Sequence, residues 1–128
     1  STFTNYYYTK FDDNNKGLEN IKSVVSTKSA FLALRYNGKV FGWGYNGYDG
    51  GNSGGYNDLN ITTATNIYSL TDNATFGVLD SSNNFYIFGY DNSSGSEITP
   101  ITKSNISQVF SNKKAFALIN SNTSNCWK

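Results

Sequence analysis

Self-similarity at a spacing of about 40 residues constrains this chain more than any other feature. The stretch NIKSVVSTKSAFLALRYNGKVFGWG spans residues 20–44, NIYSLTDNATFGVLDSSNNFYIFG spans 66–89, and NISQVFSNKKAFALIN begins at 105. Asn20-Ile21, Asn66-Ile67 and Asn105-Ile106 open the three copies, and Phe31, Phe76 and Phe116 follow at spacings of 45 and 40. A unit of this length is one small supersecondary element, as in a propeller blade or a solenoid. It cannot bury its apolar face alone.

Within a copy the period is two. Phe31, Ala33 and Arg35 point one way, and Ala30, Leu32 and Leu34 the other, which is the alternation of a strand. Asn37-Gly38 follows at once. Asn-Gly between apolar runs is the strongest short hairpin signal, because both residues tolerate positive φ. The first copy therefore reads as strands 22–26, 30–36 and 39–44. The second repeats the hairpin over 76–80 and 84–89, with Phe88 in the place of Trp43. Trp127 takes that place in the third if its hairpin is one residue shorter. Leu59-Asn60-Ile61 and the run from Ile98 to Ile101 are candidate fourth strands, with Pro100 suited to an edge or a strand start. TFTNYYYT near the N-terminus also alternates. The chain divides into an arm (1–19), two repeats (20–64 and 65–104) and a partial repeat (105–128). The expected repeat core is Phe31, Leu34, Trp43, Phe76, Leu79, Phe88, Phe116 and Trp127.

Composition agrees with an all-β reading: tandem antiparallel meander blades forming a partial propeller-like array. Aromatics make up 16% of the residues, and they favour pleated, half-buried surfaces. Charged residues are 15%, against about 25% in ordinary domains. The net charge of +1, with no block of either sign, predicts neither nucleic acid nor an anionic membrane as partner. No apolar run approaches the roughly 18 residues of a membrane-crossing helix. The absence of Met is expected of a processed form or a piece of something longer, and a chain so poor in charge suits the extracellular space slightly better than the cytoplasm.

SAFLALRYNGKVFGWGYNGYDGG resembles the regulator-of-chromosome-condensation repeat family, whose blades carry a small-aromatic-Ala-Leu strand, an Asn-Gly or Asp-Gly turn and Val-aromatic-x-Trp-Gly. The second copy fits more loosely, with NNFYIFG in place of the Trp strand, and the third fits in its first half. The resemblance implies a β-propeller of four-stranded blades and, in its better-known members, small-GTPase exchange, inhibition or scaffolding. Two departures matter. The family's usual His near the second strand is missing, since the chain has no His. Two and a half units also cannot close a ring, and an open array exposes edge strands. The expectation is a structural module that completes itself by self-association, as a filament or ring, or within a longer chain.

Site chemistry is sparse. Gly42-Trp43-Gly44-Tyr45-Asn46-Gly47 spells a dinucleotide fingerprint, but DGGNSGGY follows it and supplies no helix to meet a pyrophosphate. Asp12-Asp13-Asn14-Asn15-Lys16-Gly17 hints at a calcium loop but puts Lys16 and Ser23 where ligands belong. Without His the commonest general base is absent. The single Cys126 excludes an internal disulfide. No catalytic, cofactor or metal residue is assigned. Candidate binding residues are Tyr45, Asn46, Tyr48, Tyr56 and Tyr90, in or beside Gly-rich loops where aromatics can anchor a protein or stack on a glycan. Asn60, Asn73, Asn92, Asn105 and Asn122 carry N-glycosylation sequons, about the number that chance gives.

Overall fold

The computed structural model describes residues 20–44, 61–91, 96–120 and 124–127. Every regular element among them is a strand, and every strand pairing is antiparallel. Three sheets follow one another along the chain. Sheet I holds β1 (Ile21–Ser26), β2 (Ala30–Arg35) and β3 (Val40–Gly44) as a meander. Sheet II holds β4 (Ala64–Leu70), β5 (Ala74–Asp80), β6 (Phe85–Asp91), the short β7 (Ser96–Glu97) and β8 (Ile101–Lys103). Sheet III holds β9 (Ile106–Ser111), β10 (Phe116–Asn120) and β11 (Ser124–Trp127). The fold is an all-β meander repeat with an open, propeller-like arrangement.

The three hairpins share one register. Phe31 pairs with Trp43, Phe76 with Phe88 and Phe116 with Trp127. Gly44 ends β3 and Gly89 lies near the end of β6, with φ of 134° and 129°. A Cβ on either would strike the carbonyl oxygen of the residue just before the one opposite, Ser29 or Ala74.

The turns correct one expectation. Asn37-Gly38 does not form a two-residue turn with both residues at positive φ. The loop is Tyr36-Asn37-Gly38, closed by the Gly38 N–H on the Arg35 carbonyl (3.0 Å) and the Arg35 N–H on the Lys39 carbonyl (2.9 Å). Of its residues only Gly38 has positive φ, 87°, as in three-residue hairpins that end on a left-handed residue. In the second turn Asn83 takes the same position with φ 65°, and the same two hydrogen bonds recur from Asn83 to Asp80 and from Asp80 to Asn84. Asn is among the few residues other than Gly that visit this region readily.

The shared Asn-Ile opening is a second correction. Each first strand carries a bulge that resets its register: Ile21 opposes Arg35, Ala64 opposes Asp80 and Ile106 opposes Asn120. Asn20 and Asn105, just before β1 and β9, have φ of 57° and 59°. Asn66 lies inside β4 and pairs with Leu79 as Ser23 pairs with Leu34. The structural equivalent of Ile67 is therefore Val24. The bulged position repeats its own contact, since the Thr65 hydroxyl donates to the Leu79 carbonyl (3.1 Å) and the Ser107 hydroxyl to the Ile119 carbonyl (2.9 Å).

Fourth strands are also displaced from expectation. β8 begins at Ile101 and pairs with β6, and residues 98–100 are not strand. Ile61 is buried outside any strand, while Leu59 and Asn60 lie outside the described residues, as does TFTNYYYT.

Packing is face to face. Leu32, Leu34 and Val40 of sheet I meet Ile67, Phe76, Val78 and Phe88 of sheet II in one core. Leu70, Phe85 and Ile87 of sheet II meet Ile106, Phe116 and Leu118 of sheet III in another. Phe85 and Phe116 cross edge to face at 5.2 Å. Replacing Gly89 by Ala is expected to destabilise the fold by more than about 1 kcal/mol. Thermal unfolding followed by circular dichroism should then fall by at least roughly 3 °C.

Candidate functional site: the two ends of the sheet array

Cross-strand partners lie on the same face of a sheet, so the register sorts every residue. Call the face of sheet II that packs on sheet I its front, and the other its back. Ile67, Phe76, Val78 and Phe88 line the front, and Tyr68, Leu70, Phe85 and Ile87 line the back. The front of sheet III, with Phe116 and Leu118, packs on the back of sheet II. By the same register the front of sheet I carries Val24, Phe31, Ala33, Phe41 and Trp43, and the back of sheet III carries Phe110, Ala117 and Ile119.

Among the described residues no further sheet packs on either of these faces, and some of their residues differ in exposure from their equivalents. Ile67 and Phe76 on the front of sheet II are 8% and 0% exposed. Val24 and Phe31, in the same places on sheet I, are 48% and 42% exposed. On the back, Val25 and Tyr68 pack against the first and second cores, whereas Phe110, their counterpart on sheet III, is 57% exposed. The middle of the sheet I front is buried: Phe31 stacks on Trp43 at 5.2 Å, Trp43 on Phe41 at 5.6 Å, and the Arg35 guanidinium lies 4.6 Å from the Phe41 centroid.

A backbone link couples successive sheets. The Ala64 N–H donates to the Gly38 carbonyl (2.9 Å), joining β4 to the first hairpin turn. The Ile106 N–H donates to the Asn83 carbonyl (2.9 Å), joining β9 to the second. In sheet I the corresponding donor is the Ile21 N–H: the Tyr36 N–H reaches the Asn20 carbonyl as the Ser81 N–H reaches that of Thr63.

Asp80 fixes the second turn. Its Oδ1 accepts from the N–H groups of Ser82 and Asn84 (2.9 Å each), and its Oδ2 accepts from the Tyr86 hydroxyl (2.8 Å). Burial alone would raise its pKa, but the Asn84 N–H, the Tyr86 hydroxyl and the Ser82 N–H outweigh it and hold the pKa below the ordinary carboxylate value. The same arrangement raises the Tyr86 pKa, through burial first and then the Asp80 hydrogen bond and charge. Both carboxylate oxygens of Asp80 accept hydrogen bonds from the turn or from the strand after it, which gives this carboxylate a structural role.

The residues expected to bind or pack fall as follows. Tyr45, Asn46, Tyr48 and Tyr56 lie outside the described residues, and so do Asn60, Asn92 and Asn122. Tyr90 is half-buried within β6, opposite Ala74 and Glu97, rather than in a loop. Asn73 is half-buried in the turn between β4 and β5, where its N–H reaches the Leu70 carbonyl (3.1 Å). Asn105 is exposed. Leu34, Trp43, Phe76, Phe88 and Phe116 are buried, and Leu79 is half-buried. Trp127 lies on β11 opposite Phe116. Phe31 is corrected: it holds the expected register but stands 42% exposed, since among the described residues no sheet packs over that edge of the front face. Val24 and Phe110 escape a sequence reading, since both sit in ordinary alternating strands. Only the bulge-corrected register shows that they match buried positions. No group of three or more His, Cys, Asp or Glu able to hold a metal ion occurs among the described residues.

An all-β array of stacked meander sheets with apolar residues at both ends defines an open, propeller-like repeat protein. Residues 21–49 match the family model of the Regulator of chromosome condensation (RCC1) repeat. That match lies within the first unit, where the Ala-Leu strand, the Asn-Gly turn and the Trp strand are all present. Repeats of this kind suggest a propeller-type protein-binding module, typically non-enzymatic. A search among curated proteins found no match to this chain.

Stability should follow the Asp80 carboxylate. A group whose folded pKa is depressed contributes stability above its unfolded pKa and loses it as pH falls through the folded value. The melting temperature should therefore drop as pH is lowered below about 4, the ordinary Asp range. In Asp80→Asn the melting temperature should be lower at neutral pH and flatter across that acid window.

Proposed function

We propose that the protein is a non-enzymatic binding and assembly module whose sheets are completed by self-association, as a ring or a filament, or by further repeats of a longer chain. One observation carries this reading. Val24 and Phe31 at one end, and Phe110 at the other, stand exposed at positions that are covered wherever a neighbouring sheet is present. Burying apolar surface is the dominant favourable term in association. Solenoid arrays that stay monomeric carry polar outer faces on their terminal units. The outward faces of the first and third described sheets carry exposed Val24, Phe31 and Phe110 instead.

Other support is chemical. The chain has no His to serve as base, and Asp80, the buried carboxylate, is fully engaged in its turn. Small-GTPase exchange rests on family analogy alone, and a fold does not transmit an activity.

Size-exclusion chromatography with light scattering on the full chain tests the proposal. The expected result is a species heavier than 14.1 kDa whose mass grows with protein concentration. Electron microscopy of the same material should show rings or fibres. A folded monomer at every concentration would remove self-association.

A further inference from the structure

We propose that Asn37-Gly38 is a self-modification site: when the first hairpin turn opens, the Gly38 amide nitrogen attacks the Asn37 side chain, and the product uncouples sheet I from sheet II. The inference is independent of how the chain assembles, since it concerns one turn and water.

The chemistry needs only these residues and water. The Gly38 nitrogen loses its proton and bonds to the Asn37 Cγ. The Cγ–Nδ2 bond breaks and ammonia leaves, which closes a succinimide ring. Water then opens the ring at either carbonyl. Opening at Cγ leaves an ordinary Asp. Opening at the main-chain carbonyl leaves an isoaspartyl residue, in which the chain runs through Cβ and Cγ. Glycine permits the attack best, because no Cβ crowds its nitrogen.

The fold holds this pair ready but closed. Asn37 is exposed to water, whereas Gly38 is buried. The Gly38 N–H donates to the Arg35 carbonyl (3.0 Å), and the Asn37 Oδ1 accepts from the Lys39 N–H (3.0 Å). The first bond occupies the nucleophile's proton, and the second holds the carboxamide toward residue 39. Both must break before nitrogen meets Cγ, so reaction proceeds from a locally opened state. Packing also demands the residue that makes the pair reactive. Gly38 has φ of 87°, and a Cβ there would strike the Thr62 carbonyl oxygen. In the second turn Ser82 and Asn83 hold the equivalent places, and Ser offers no carboxamide. The product falls on the link between sheets, because the Gly38 carbonyl accepts from the Ala64 N–H (2.9 Å). An isoaspartyl linkage adds a backbone carbon to this short loop, which moves Gly38 relative to both Arg35 and Ala64.

Two measurements test the site. In the first, the full chain is aged at mildly alkaline pH and mapped by mass spectrometry. Trypsin cuts after Arg35 and Lys39, which separates this pair from Asn46-Gly47. A site that reacts only from an opened population is slowed by the open fraction, so Asn37 should convert at least about tenfold more slowly in the folded chain than in a synthetic peptide of residues 31–43. In guanidinium chloride the two rates should converge. Equal rates in the folded chain and the peptide would overturn the gate. In the second measurement, the chain is aged unfolded until Asn37 has converted, then refolded and melted. Asn37→Ser, whose hydroxyl supports the same kind of turn, is treated identically. Ageing should lower the melting temperature of the unmodified chain by at least roughly 3 °C more than that of Asn37→Ser. An equal fall in both chains would overturn the uncoupling. Should Asn37→Ser fail to fold, Asn37→Asp takes its place, because a carboxylate cyclises far more slowly than a carboxamide.

Discussion

Because the strands of sheet II alternate, Phe76, Val78 and Phe88 fill one core while Leu70, Phe85 and Ile87 fill the other. Neither set is shielded unless a sheet lies on each side. Antiparallel sheets elsewhere often leave one face wet and polar. Here both faces of the middle sheet are apolar, so its neighbours are a condition of its folding. Sheets I and III each satisfy that need on one side. On their other faces stand the exposed Val24 and Phe31 of sheet I and Phe110 of sheet III.

The repeat and the hairpin register were legible in the amino-acid sequence. Phe31, Phe76 and Phe116, with Trp43, Phe88 and Trp127 opposite them, follow from period-two alternation and a turn of nearly constant length. The first strands were not. Asn-Ile recurs three times in the letters, yet the second occurrence is three residues out of register. A bulge adds a residue without any marker in composition, and here its occupants are Lys22, Thr65 and Ser107. Matching by identical letters therefore failed where backbone geometry, rather than side chains, sets the register.

That failure hid the candidate site. With Ile21 placed against Ile67, Val24 has no buried counterpart and reads as one apolar residue in a short strand. Once Val24 stands against Ile67 and Val109, its exposure becomes informative. The same holds for Phe110 against Val25 and Tyr68. Phe31 shows the converse: its register was readable, but its exposure depends on which unit lies beside it, a property of the assembly and not of the motif.

The link between successive sheets has a further consequence. It runs from a carbonyl at the end of a hairpin loop to the amide at the start of the next first strand, Gly38 to Ala64 and Asn83 to Ile106. Both atoms belong to the main chain, so the clasp is indifferent to most side-chain replacements. Gly gives way to Asn at one end, and Ala to Ile at the other, with the distance unchanged at 2.9 Å. Spacing between layers is thereby uncoupled from the identity of the residues that sit there. Units as unlike as the Trp-bearing first and the Phe-bearing second can stack at one pitch.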